Sequence, residues 1–495
     1  MRQPGWRWPG GVAAGALLFA GCLAVMKVAL LRNWQYTSNL FVYDQMLENT
    51  LRGHFGLEYT NGNQFGDHAS LAILTLLPLK AILGRWMPAL LVVLGPAIFA
   101  AAIVTWFAAL SRRVGRLPAL LATICVALPL RGGSALVEQV YGCTLDFASG
   151  YLAIGFASIM WSGALFDAPG PSARDRSLFF FFLTTFVLVK EEMAILAVVF
   201  LAVILFRRLG SRLTVFSLVA VLGVLLADAA VMWMSASEWN RGNGTLFGQT
   251  FHRIAGGQLL SLLHGSSFRA WATVGIGSLA LLTIAILTGK GDPVAVALFS
   301  IGSLKLGSSV LVEDFDLTTW HNAPAVCMLT GGLILQLAST VGMHRMRLLL
   351  GSAALASGLA FLLYDLPELV EIQTASPERA SYVAQSCRDL EQLRLLVPLR
   401  SVVAIDGLTS VEWSDGHRFS FFPRGVTNSP RGIADYVVLE RPATREFSIQ
   451  LEEFRPIATS SWFVLFERRS ITRAHAAERE RFRKRFGDDA IGVWP

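Results

Sequence analysis

Apolar runs near 11–31, 88–110, 117–130, 149–166, 178–189, 193–206, 213–234, 269–289, 293–311, 324–341 and 348–363 follow one another along the chain, parted by short connectors. Several approach the ~20 residues that carry an α-helix across a hydrocarbon core. A chain segment in lipid has no water to bond its N–H and C=O groups, so runs of this kind can span only as helices. With 54% hydrophobic and 16% charged residues among 495, no single soluble core would hide so much apolar surface. The sequence predicts an α-helical polytopic membrane protein of about eleven transmembrane helices.

Basic residues set the expected orientation. Arg112, Arg113, Arg116, Arg174, Arg176, Arg207, Arg208, Arg212, Lys290 and the 344–347 cluster all fall on one side if the apolar piece Ala69 to Leu83 does not cross. At about 22 Å that piece is short for a span and reads as juxtamembrane or re-entrant. The basic side is then cytoplasmic, and the first run is an uncleaved helix with its N-terminus inside. The outer face collects a long first loop (33–87), loops at 131–148, 235–268 and 312–323, and the C-terminal region. This places the chain in the inner (cytoplasmic) membrane, with the bilayer as its first partner. Its net charge of +7 reads as anchoring rather than nucleic-acid binding, because the basic residues sit in connectors and no aromatic-interleaved basic patch appears. The five cysteines show neither metal-ligand spacing nor a disulfide framework.

Two short runs, 178–189 and 193–206, are separated by Lys190, Glu191 and Glu192 and flanked on both sides by arginines. A single crossing would put one basic flank outside, so a helical hairpin with the three charges at its outer turn is expected. Such a turn is either an interfacial bend with snorkelling side chains or a site for an anionic headgroup.

After Tyr364 the pattern changes. Residues 378–396 have helical periodicity, and SVVAID (401–406), RFSFF (418–422), DYVVLE (435–440) and SWFVLFERR (461–469) read as strands. Residues 1–364 are thus expected to form a transmembrane domain, and 365–495 a small α/β domain, periplasmic or extracellular. The stretch 478–486 reads as an amphipathic basic helix.

The outer loops hold the polar residues. Phe41, Met46, Leu47 and Leu51 suit an interfacial helix with Asp44 near its start, and Asp67 and His68 precede the short apolar piece. Glu138 and Asp146 lie in the second outer loop, and Glu313, Asp314, Asp316 and His321 in VEDFDLTTWHNAP. Carboxylates and imidazoles gathered on one face are the groups that acid–base chemistry requires. No P-loop, dinucleotide fingerprint, HExxH or GxSxG motif accompanies them.

The order YDQ, GDH, TLDF, KEE, TWHNAP, RFSFFP, ADYVVLE and WFVLFERR resembles a predicted membrane protein family known as domain of unknown function 2079 (DUF2079), over nearly the whole chain. That family in turn looks like the C-type (GT-C) glycosyltransferases of the cell envelope. These take a sugar from a polyprenyl-phosphate carrier and use a first-loop carboxylate. Asp44 and Gln45 match the aromatic-Asp-Gln string, Asp67 and His68 the Asp-His pair, and Lys190-Glu191-Glu192 the Lys-Glu-acidic string. The chain departs at Ser38-Asn39-Leu40-Phe41, where the family has Phe-Asp-Leu-Gly, and at Asp146-Phe147-Ala148, where it has Asp-Phe-His.

The resemblance implies a glycosyltransferase acting at the outer membrane face on a polyprenyl-phosphate-linked sugar. Asp44 or Asp67 would deprotonate the acceptor, with His68 or His321 orienting it or helping to bind a divalent ion. Lys190, with Arg241, would hold the donor phosphate near Glu191 and Glu192. The rival expectation is a non-catalytic transporter or envelope-assembly scaffold. A transporter should bury charges mid-span and often shows two similar halves, neither of which is evident in the sequence.

Overall fold

The computed structural model describes residues 10–32, 39–58, 62–63, 65, 70–128, 148–163, 173–207, 212–235, 291–313, 323–367, 370, 377–398, 401–405, 418–421, 435–441 and 453–470. Its helices are α1 (Gly10–Arg32), α2 (Asn39–Leu51), α3 (Leu77–Leu83), α4 (Met87–Val114), α5 (Arg116–Ala127) and α6 (Ser149–Trp161). They continue with α7 (Ala173–Val189), α8 (Glu191–Arg207), α9 (Arg212–Ser235), α10 (Pro293–Glu313), α11 (Ala323–Thr340), α12 (Met343–Ala360) and α13 (Pro377–Arg394). A two-residue ribbon of β1 (Leu57–Glu58) and β2 (Gly62–Asn63) follows α2.

Among the described residues, five helical segments are long and apolar enough to cross a membrane: Gly11–Leu31, Met87–Val114, Leu213–Ser235, Ala323–Thr340 and Met343–Tyr364. The chain is a multi-pass membrane protein. Helices α5 and α6, with 12 and 13 residues, are only about 18–20 Å long. The run 269–289 lies outside the described residues, and the expected total of eleven spans goes with it. The piece at 69–83 is no uniform helix: a 3₁₀ segment (Leu71–Leu76), α3 and a second 3₁₀ turn (Gly84–Trp86) lead directly into α4.

Contacts between helix ends show which ends lie together. Arg112 of α4 reaches Asp175 of α7 at 3.4 Å, and the Arg113 guanidinium lies 4.9 Å over the Trp161 ring of α6. Trp161 Nε1 donates to Ser339 of α11 at 3.1 Å, and Ser339 Oγ donates to Asp292, ahead of α10, at 3.2 Å. The opposite end of the bundle carries α2, the 71–86 segment and the junction between α7 and α8.

Glycine decides how closely the central helices approach. In lipid there is little hydrophobic drive between helices, so small residues that admit backbone contact take over. A Cβ on Gly150 of α6 would stand 2.9 Å from the Pro324 backbone and 2.8 Å from Cys327 Cβ on α11. One on Gly332 of α11 would stand 2.9 Å from the backbone nitrogen of Phe299 on α10. Phe156 then meets Phe179, Phe186 and Phe200 edge-on, at centroid distances of 6.5, 5.4 and 5.0 Å, locking α6 to α7 and α8.

Beyond α12 the chain makes a π-helical turn (Phe361–Asp365) and reaches α13 and a five-stranded sheet of order β4-β3-β5-β7-β6. The strands are β3 (Val402–Ile405), β4 (Arg418–Phe421), β5 (Tyr436–Glu440), β6 (Phe454–Thr459) and β7 (Phe463–Arg468). β3 pairs parallel with β4 and β5, while β7 pairs antiparallel with β5 and β6. Central β5 is buried at Val437, Val438 and Leu439, as a strand covered on both faces should be. The four strands expected from sequence are present. β6 was not expected: Pro456 interrupts its pattern, and it is tolerated because β6 is an edge strand with a register shift between Pro456 and Ala458. The stretch 478–486 lies outside the described residues.

The sheet does not stand apart. Val383, Leu390 and Leu393 of α13 and Val403, Val438, Phe463 and Leu465 of the sheet share one buried cluster with Leu23, Met26 and Leu30 of α1. Leu40, Met46 and Leu47 of α2 and Met87, Leu91 and Val92 of α4 complete it. Helix α13 and the sheet are therefore docked on the end of the bundle that carries α2.

Candidate active site

Helix α2 is amphipathic with an unusually enclosed setting: Leu40, Met46, Leu47 and Asn49 have no exposed surface, while Leu51 is exposed. The expectation of a helix lying in the membrane interface changes accordingly. Its apolar side is covered by α1, α4 and the C-terminal sheet rather than by lipid.

From α2, Asp44 projects toward α3. Lys80 Nζ donates to Asp44 Oδ1 at 2.8 Å and to the Gly84 carbonyl at 3.3 Å, and lies 3.4 Å from Glu48 Oε2. Arg52 holds the other Glu48 oxygen at 2.9 Å, one turn further along α2. Lys80 itself is buried. A buried ammonium needs a charge partner and further acceptors, and α2 supplies them. Burial raises the Asp44 carboxyl above the usual carboxylate range; Lys80 opposes that rise by charge and hydrogen bond, and Glu48 adds to it. A carboxylate so held is a better proton acceptor than an ordinary aspartate.

The second constellation is the break between α7 and α8. Only Lys190 separates the two helices, and its carbonyl accepts from the Met193 N–H at 2.9 Å. Lys190, Glu191 and Glu192 are all buried. Glu192 Oε1 lies 3.7 Å from Lys190 Nζ and accepts from Lys305 Nζ of α10 at 2.7 Å. The turn is recessed, because α10 runs eight residues past Lys305, about 12 Å. An interfacial bend with snorkelling side chains does not describe it; the charges face one another inside the bundle. The 71–76 segment packs against both α2 and α7, so it links the surroundings of Asp44 to the helix that ends at Lys190.

Of the residues singled out from sequence, Asp44, Lys190, Glu191 and Glu192 are thus placed, in two clusters. Asp67, His68, Asp146, His321 and Arg241 lie outside the described residues. Among the described residues no group of three or more His, Cys, Asp or Glu side chains is arranged to hold a metal ion. Ala148, where the resembled family has His, is fully buried at the N-terminus of α6.

Sequence reasoning missed Lys80, Lys305 and Asp228, each a lone charge inside an apolar run. Together with Lys27 of α1 they are buried, so charges enclosed within apolar runs, not evident from the sequence, are present. The signal was available: a charge within a membrane run is costly and marks function by default.

No family model matches the chain, and no curated protein matches it. Among solved structures, ArnT from Cupriavidus metallidurans bound to undecaprenyl phosphate superposes with a TM-score of 0.50 at 12% identity, over 91% of this chain and 98% of that one. The two chains share a fold. ArnT in its apo state gives a TM-score of 0.40 at 12% identity, over 92% of this chain and 98% of that one. The Archaeoglobus fulgidus oligosaccharyltransferase complexed with zinc and sulfate gives 0.36 at 14% identity, over 88% of this chain and 69% of that one.

Proposed function

We propose that the chain is a membrane glycosyltransferase of the GT-C type, transferring a sugar from a polyprenyl-phosphate carrier at the outer face of the inner membrane. The observation that carries this reading is the fold shared with ArnT bound to undecaprenyl phosphate, together with a first-loop carboxylate clamped by a buried lysine. Membership of DUF2079 belongs to the same proposal and rests on the order of motifs.

In this reading Asp44 takes the proton of an acceptor hydroxyl. The freed oxygen attacks the anomeric carbon, the bond from that carbon to the phosphate oxygen breaks, and polyprenyl phosphate leaves with the electron pair. Lys80 keeps Asp44 in place and favours its charged form until the acceptor arrives. Lys190, joined by Lys305 and by Arg241, supplies point charges for the carrier phosphate, with Glu191 and Glu192 setting their positions. Asp67, His68, Asp146 and His321 complete the outer surface, and a divalent ion held by His68 or His321 would help to neutralise the leaving phosphate. Residues 1–364 form the transmembrane part and 365–495 the outer region, with the N-terminus cytoplasmic.

The test is reconstitution of the full chain with polyprenyl-phosphate-linked sugars and analysis of lipid-linked substrate and released polyprenyl phosphate. Transfer that requires Asp44 supports the reading. Retained undecaprenyl phosphate with no turnover of any linked sugar would favour the transport or scaffold alternative, to which the buried charges Lys27, Asp228 and Lys305 also belong.

A further inference from the structure

Two polar side chains of the first loop are enclosed with nothing bonded to them. Gln45 of α2 is 3% exposed, and among the described residues neither Oε1 nor Nε2 of its amide has a hydrogen-bond partner. Ser70 is 5% exposed, its hydroxyl likewise has no partner, and it stands at the head of the 71–76 segment without capping that 3₁₀ turn. The segment packs against α2, which brings together the two elements that carry these groups. Gln45 follows Asp44 directly, about 100° further round the helix, on the side shared with Glu48 and Asn49. It lies beside the charged group of Asp44, Lys80 and Glu48 without bonding to it.

Burying an amide and a hydroxyl without partners costs free energy that packing does not return. Methionine at 45 and alanine at 70 would fill much the same space with no polar atoms to satisfy. A native fold leaves few such groups, and each calls for an explanation. The kind of group points to the ligand. An amide offers two donors and an acceptor, a hydroxyl one donor and acceptor capacity, and neither carries charge. A phosphate would call for cations, and a metal ion for carboxylates or imidazoles. Uncharged groups that both give and take hydrogen bonds match the hydroxyls of a sugar.

We infer that Gln45 and Ser70 bind hydroxyls of the transferred sugar and so set which sugar is accepted. This rests on the glycosyltransferase reading above. In that reaction the acceptor oxygen deprotonated by Asp44 attacks the anomeric carbon, so the ring of the transferred sugar comes to lie within about its own width of Asp44. Gln45, the adjoining residue, takes one of its hydroxyls, and Ser70 takes another from the segment packed on α2. Because both groups are enclosed, the sugar reaches them as the 71–76 segment parts from α2, and its hydroxyls supply the bonds that the two side chains lack.

The test titrates full-length protein in lipid nanodiscs with bare undecaprenyl phosphate and with undecaprenyl phosphate linked to a panel of hexoses and pentoses. The wild type should bind at least one linked form more tightly than the bare carrier. Gln45→Met should weaken that form about tenfold, the scale of one or two hydrogen bonds, and leave the bare carrier unchanged. Ser70→Ala should act in the same direction. Without lipid, the melting temperature of both variants should stay level or rise, because each substitution removes a polar group that nothing satisfies in the unliganded protein. An amide kept for structure would lower it instead. A fall in the melting temperature of Gln45→Met, or an unchanged preference of that variant for the linked form, would overturn the inference. So would a wild type that binds the bare carrier and every linked form equally, a result that leaves carrier binding, and the reading built on it, in place. A wild type that binds no carrier at all would remove that reading first and this inference with it.

Discussion

Lys80 Nζ stands 2.8 Å from Asp44 Oδ1 across thirty-six residues of chain, joining the helix of the first loop to the segment that leads into α4. The pair, with Glu48 3.4 Å from the same ammonium, fastens the first loop by charge to the base of a long span and turns the candidate base into a tuned one.

Replacing Asp44 by Asn keeps its shape and removes its proton affinity. Transfer should fall by about a hundredfold or more, the scale of general-base catalysis, while the amount of folded protein in the membrane stays unchanged. Asp67→Asn should behave likewise if that residue shares the role, and Asn39→Asp, which restores the acid of the resembled family, should leave transfer unchanged or raise it. Single-turnover assays on purified protein decide each case.

The environment of Asp44 also fixes a pH dependence. Burial lifts its carboxyl above the ordinary value of 3.8, against the pull of Lys80, so activity should rise with pH through a limb displaced upward from that of an exposed aspartate. The sign for stability is opposite. Between the unfolded and folded values the folded state holds more proton, and stability from this group falls as pH rises. Lys80→Met removes the group that favours the carboxylate, so the activity limb should move to still higher pH in a pH–rate profile.

Lys305→Met leaves Glu192 buried without its 2.7 Å partner. Breaking a buried pair from one side costs roughly 3–5 kcal/mol, and adding Glu192→Gln should recover much of it. Thermal unfolding in detergent reads both. For function, Lys190→Ala should raise KM for the lipid donor more than it lowers kcat, because it removes phosphate recognition rather than the base.

Gly332→Ala places a methyl group 2.9 Å from the Phe299 backbone nitrogen, which cannot turn aside as a side chain would. Overpacking of this kind costs about 1–3 kcal/mol. Gly351→Ala on α12, with only Leu121 at 3.9 Å, should cost little. Melting curves of the two variants give the comparison.

Orientation is tested by cysteine labelling in intact cells. Residues 167–177 and 207–212 should be inaccessible from outside, and residues 131–148 and the C-terminal region accessible. Labelling of 112–116 from outside would reverse the reading of the 69–83 segment as juxtamembrane.

Periodicity carried the helices and four of the five C-terminal strands, because apolar runs and alternation report burial directly. It failed at β6, where the proline that breaks the pattern is compatible with an edge position known only once the sheet is assembled. The site was legible at Asp44 and at Lys190-Glu191-Glu192, where charges stand in groups. Lys80, Lys305 and Asp228 escaped because each is single within an apolar run, and the significance of the two lysines depends on partners 36 and 113 positions away. Long-range pairing of that kind leaves no local pattern.

The glycines at the contacts of α6, α10 and α11 divide the bundle into parts of unequal stiffness. Where backbones touch, a shift of even a fraction of an ångström meets another main chain, so these helices behave as a keel. Among the described residues, the glycines of α9 and α12 make no such backbone approach, and most of the apolar length of these helices is not buried. The glycine-locked centre thus holds Lys305 of α10, and through it Glu192, in fixed register.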